Sequence, residues 1–141
     1  MAAIALMALA APAAAAEPAL APEAVKRLLR SQGFWRPLDP PPRQFRWIGS
    51  IHSPKNRYDL YFYDWTNPVS RHGRQGVVLI RNARRYVGTY DVTVDGCRVQ
   101  RRTLTCWVDW QGRRESQDVT FLRGEPPRKA LVGGELVTLE R

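Results

Sequence analysis

From Gln44 onward apolar and polar residues alternate with a period of two, the pattern of strands that bury one face. Phe45, Trp47 and Ile51 mark the first run, and Gly49 interrupts it where a bulge or close approach is expected. The turn residues Ser53-Pro54-Lys55-Asn56 lead into residues 57–65, RYDLYFYDW. There Tyr58, Leu60 and Phe62 share one face while Tyr61, Tyr63 and Trp65 share the other, which predicts a strand buried between two layers. Residues 77–81 form a continuous apolar run suited to a central strand. In residues 85–94, Tyr86, Gly88, Tyr90, Val92 and Val94 alternate, and Asp95-Gly96 is a hairpin dipeptide. Residues 111–114 read as a turn, residues 118–122 as a strand, and residues 131–132 and 136–139 as a last pair flanking Gly133-Gly134. The expected fold is mainly β, a small antiparallel β-barrel or sandwich of about seven to nine short strands with one N-terminal helix.

The period changes once, at residues 23–32, where Val25, Leu28 and Leu29 make a narrow helical stripe with Lys26, Arg27 and Arg30 facing away. Pro22 suits the first position, Glu23 the positive end of the helix dipole and Gly33 the C-terminal cap. A helix this short is expected to pack over one side of the sheet; the alternative is a membrane-surface helix. Residues 34–43, FWRPLDPPPR, carry four prolines and predict an extended crossover pinned by Phe34 and Trp35, with a PxxP-type ligand as the alternative.

Residues 95–110, DGCRVQRRTLTCWVDW, read as a hairpin with Arg101-Arg102 as its two-residue loop. That register sets Gln100 opposite Thr103, Val99 opposite Leu104 and Cys97 opposite Cys106, within reach of a disulfide. One face then collects Cys97, Val99, Leu104, Cys106, Val108 and Trp110 as a sealed side. Free core thiols are the alternative. A metal site is weak, because zinc wants four ligands and His52 and His72 lie in unrelated segments, so neither a metal nor a cofactor is expected.

Residues 1–16 are small and apolar without a charge and end in Ala-Ala-Ala, which reads as a secretory signal peptide, although no Lys or Arg precedes Lys26 to supply a basic start. The run is too short to span a bilayer. Export and a disulfide support each other, so a periplasmic or secreted location is expected. Residues 17–22 read as a linker and residues 23–141 as a single β-rich domain. The formal net charge is +9, and 19 of the 22 basic residues are Arg. Such a balance suits an anionic envelope component, a lipid headgroup or polysaccharide, and an envelope protein is the alternative partner; nucleic acid ranks below both. GC-rich coding would also produce this arginine bias.

No GxSxG, no HExxH and no Cys beside a His is present, and the chain is expected not to be an enzyme. A weaker alternative pairs His72, in the loop SRHGRQG, with Asp64. In a plain up-and-down order one end of the strands would gather Lys55, Arg57, Arg84, Arg85, Arg101 and Arg102, the candidate anion-binding residues. The other end would gather Arg71, Arg74, Arg113 and Arg114, diluted by Asp95. The stretches GTYDV, GEPPRK and GGELV resemble small exported bacterial β-proteins, a likeness that implies no activity. The stapled β architecture is also similar to that of periplasmic lysozyme inhibitors, but their SGxxY-type loop is absent here.

Overall fold

The computed structural model describes residues 17–67, 69–70 and 73–141. The leader expected in residues 1–16, together with Arg71 and His72, lies outside the described residues. Among those described, the chain order is α1 (Pro22–Ser31), β1 (Gln44–His52), β2 (Arg57–Asp64), β3 (Gln75–Arg81), β4 (Arg85–Asp91), β5 (Gly96–Gln100), β6 (Thr103–Trp110), β7 (Arg113–Thr120), a 3-10 turn (Leu122–Gly124), β8 (Lys129–Val132) and β9 (Glu135–Glu140). Two antiparallel sheets result, of order β1-β2-β3-β4-β9-β8 and β5-β6-β7. They face each other as a sandwich, and no barrel closes.

Period-two patterning decides which side chains meet. Tyr58, Leu60 and Phe62 of β2 and Val77 and Leu79 of β3 face the smaller sheet and join Cys97, Leu104, Cys106 and Val119 in one core. The opposite faces of the same strands give Tyr61, Tyr63, Val78 and Ile80 to a second core beneath α1. Strand β2 is therefore buried on both sides, as its two aromatic faces predict. Helix α1 closes the second core with Val25 and Leu29, both fully buried, each stabilising by roughly 1.5–3 kcal/mol. Gly33 takes a left-handed φ of 85° just past the helix, and the chain turns so that Phe34 and Trp35 plug the same core. The proline-rich stretch then crosses to β1, with Pro40 O accepting from the Trp65 indole.

Several expectations change in the structure. The Cα register of β1 and β2 shifts between Trp47 and Gly49, so the bulge expected at Gly49 is present. A second shift, between Leu79 and Ile80 opposite Gly88 and Tyr86, turns Tyr86 into the helix-side core while Tyr90 faces the sandwich. The strand expected over residues 85–94 ends at Asp91, because Asp91 captures Arg74 and the Tyr63 hydroxyl. After one more ladder bond, from Val92 N to Gln75 O, the chain leaves for the other sheet. Asp95-Gly96 is consequently not a hairpin turn, and the plain up-and-down order stops at β4. Gly96 instead admits the Trp107 ring, since a Cβ there would lie 2.6 Å from Trp107 Cζ2. Strand β7 begins at Arg113 rather than Asp118, and Leu122 falls in the 3-10 turn. The hairpin register Cys97 to Cys106 is as expected and the disulfide is formed. Its face is not sealed throughout: Trp110 is 67% exposed.

Candidate functional site

Building from the β3–β4 turn, Asn82 and Ala83 both adopt left-handed φ, 51° and 56°, and Arg84 N–H donates to Arg81 O to close it. For an alanine this conformation costs about 1–2 kcal/mol. Two attachments hold it. The Asn82 amide donates to Asn56 Oδ1, and Asn82 Oδ1 accepts from Arg57 N–H, stitching this turn to the one between β1 and β2. On the other side Gln32 donates its amide to Arg84 O and accepts from Tyr86 N–H through its Oε1, fixing the turn to the end of α1.

The turn sets Arg81 opposite Arg85 across the two strands and exposes Arg84 beside them. With Gln32, Asn82 and Arg141 these arginines line a concavity of about 480 Å³. Four ion pairs are formed among the described residues, and Arg84, Arg85 and Arg141 enter none of them. Arg81 is partly committed. The Glu125 carboxyl is held below the usual carboxylate range chiefly by the hydrogen bond from Tyr58, with the Arg81 charge adding to it.

The other expected members are distributed. Arg101 lines a second concavity with Arg98, Gln100, Thr103, Thr105, Ser116 and Asp118, on the outer face of the three-stranded sheet. Asp118, accepting from the Thr105 hydroxyl at 2.7 Å, places a negative charge in it. Arg102 is exposed at the hairpin tip and accepts Phe121 N–H through its carbonyl. Lys55 is exposed in its turn. Arg57 is not available: its guanidinium binds the Asp59 carboxylate at 3.0 Å, Ser50 Oγ at 3.1 Å and the Glu17 carbonyl.

At the opposite end Arg74 and Arg114 are neutralised, while the exposed Arg113 enters none of the ion pairs formed among the described residues. Arg74 pairs with Asp91 at 3.2 Å and lies over the Phe34 and Tyr63 rings. Arg114 pairs with Asp109 at 2.8 Å and lies 4.8 Å from the Trp107 ring centre, holding the Asp109 carboxyl below its ordinary range. Arg71 lies outside the described residues.

Sequence reasoning missed Arg81, Gln32 and Arg141. Arg81 was signalled by the three-residue turn 82–84, which puts it across from Arg85; Gln32 and Arg141 come from distant segments, and no local pattern points to them. Asp59 is buried and receives bonds from the Trp47 indole, Ser50 and Arg57, which leaves it no open position for chemistry. Asp64 Oδ1 accepts Thr66 N–H, and His72 lies outside the described residues. No group of three or more His, Cys, Asp and Glu side chains placed to hold a metal ion occurs among the described residues. No helix among them is long and apolar enough to cross a membrane. Compared with known proteins, the chain matches no family model, no curated protein and no solved structure.

Proposed function

We propose that the protein is an exported, envelope-associated β-domain without catalytic activity that binds an anionic ligand at the β3–β4 turn. The observation that carries this reading is the concavity in which Arg84, Arg85 and Arg141 meet with no acidic partner, in a chain of net charge +9. Guanidinium forks match the oxygens of phosphate and carboxylate groups bidentately, and the two-sided fixing of the turn by Asn56 and Gln32 holds them ready. Export is supported by the disulfide, which persists in oxidising compartments, and by the signal-like leader. The Arg101 concavity is subordinate, because Asp118 opposes an anion there.

Sedimentation with vesicles containing phosphatidylglycerol, against phosphatidylcholine alone, tests the reading. Each arginine at an anionic surface contributes about 1 kcal/mol, so an Arg84→Ala/Arg85→Ala variant is expected to bind about 30-fold more weakly. Binding should also fall steeply with added salt. Equal binding by the variant, or binding indifferent to salt, would overturn the proposal.

A second reading, docking of an envelope protein, draws on Leu131 and Leu136. They face each other across β8–β9 at 54% and 70% exposure. Tyr61 and Tyr63 are buried beneath α1 and offer no such surface. Association with envelope proteins that persists in high salt distinguishes this reading from the first.

A further inference from the structure

The inner face of the β6–β7 hairpin changes character along its length. Directly opposed pairs on it run Leu104 and Val119, Cys106 and Gln117, Val108 and Glu115, then Trp110 and Arg113. The first pair is fully in the core, and burial falls away through the next two until Trp110 and Arg113 are both exposed. All the β6 members of these pairs are apolar, whereas past Val119 the β7 members are polar. Beyond the core this face forms one wall of a cleft of about 350 Å³, and the Gly133–Gly134 turn between β8 and β9 forms the other. Both glycines take left-handed φ, 59° and 82°, and Gly133 approaches so near Val94 that a Cβ would lie 3.2 Å from its Cγ1.

The polar groups in this cleft have hydrogen-bonding capacity to spare, and one of them is fixed in orientation. Gln117 accepts Gly134 N–H at 2.8 Å through Oε1, which settles the amide and leaves its NH2 group free to donate into the cleft. Glu115 enters none of the ion pairs formed among the described residues and offers two acceptor oxygens. Trp110 presents a wide apolar ring to solvent at the mouth. An aromatic plate beside one acceptor pair and one fixed donor complements a ring of vicinal hydroxyls. The C–H face of a pyranose carries partial positive charge and lies on the negative face of an indole, while its hydroxyls donate to a carboxylate and accept from an amide. Charge narrows the choice. Glu115 repels anions, Arg113 across from Trp110 repels cations, and the volume suits a small ligand, such sites spanning roughly 300–1,000 Å³.

We propose that the cleft between β7 and the β8–β9 turn is a subsite for a neutral saccharide, with Trp110 as the stacking platform, Glu115 as hydroxyl acceptor and Gln117 as donor. It shares no residue with the arginine concavity and does not depend on that reading. The test uses the full chain with its disulfide intact, labelled with nitrogen-15, and follows the indole N–H signals of its tryptophans. The Trp110 signal is assigned by its loss in Trp110→Phe. Maltotetraose, cellotetraose and chitotetraose are titrated separately to millimolar concentration.

At least one is expected to move the Trp110 signal saturably, with affinity reduced about tenfold or more in Glu115→Ala, where the lost hydrogen bond is to a charged group, and about two- to tenfold in Gln117→Ala, where it is to a neutral amide. Binding should be lost in Trp110→Ala, whose exposed position leaves the fold intact, and unchanged in Arg84→Ala/Arg85→Ala. The proposal is overturned if none of the three moves the Trp110 signal, if Trp110→Ala binds as the parent does, or if anionic vesicles shift that signal in place of the saccharides.

Discussion

Asp59 is the clearest single residue to interrogate. Its side chain is 3% exposed and receives bonds from the Trp47 indole, the Ser50 hydroxyl and the Arg57 guanidinium. Arg57 reaches on to the Glu17 carbonyl, so one carboxylate ties β1, β2 and the segment before α1. Replacing Asp59 with Ala leaves three donors short of an acceptor, one of them charged and only a third exposed. A loss of about 2–3 kcal/mol is expected in urea unfolding. Exposed pairs such as Lys26 with Glu23 should be worth less than 1 kcal/mol by the same measurement. A loss at Asp59 no larger than that at Glu23 would show that the buried network does not hold these strands. The pairing was available in the sequence: residues two apart on a strand share a face, and Arg57 and Asp59 are two apart. Placing Arg57 among free turn cations weighed its position at a turn and passed over that rule.

Among the elements, the β5–β6 hairpin was legible to the residue because one register satisfied both its apolar pairs and its cysteines. The disulfide closes a short loop, so replacing both Cys97 and Cys106 with Ala is expected to cost about 2.5–3 kcal/mol, measured by denaturant midpoint. An unchanged midpoint would mean that the hairpin is held by its packing alone. Strand β7 was legible only at its far end. Its inward positions Glu115 and Gln117 are polar because they line a cleft, Arg113 lies exposed beyond them, and a strand that does not bury its face shows no hydrophobic period. Inward charge on an edge strand also discourages pairing with other chains. The same blindness hid Tyr86, whose face is set by a bulge opposite Leu79 and Ile80 that leaves no mark in local composition.

At the scale of the molecule, the count of strands and the covering helix followed from periodicity, whereas the division into two sheets did not. The crossing from β4 to β5 keeps Val92 and Val94 in the core, so apolar alternation runs on through the point where hydrogen bonding changes partner. The convergence of the arginines suffered for it, since once β5 and β6 leave the larger sheet their tip lines a concavity of its own. Burial of β2 and its neighbours from both sides has a further result, in proton chemistry. Each of the chain's five tyrosines is buried, and desolvation comes first among the causes that raise every one of their phenol pKa values. For Tyr58 burial and then the Glu125 carboxylate push the value up to about 12. A phenol raised in the fold holds its proton where the unfolded chain, near pH 10, releases it. The stability it contributes is therefore whole below about pH 10 and drains as pH rises through the folded value, at up to about 1.4 kcal/mol per pH unit for each group. Alkaline titration should show phenolate absorbance rising together with the loss of near-ultraviolet circular dichroism in one steep step above about pH 10. Gradual ionisation with the dichroism intact would contradict it. A β-domain built this way tolerates acid at its tyrosine layer and is bounded from the alkaline side.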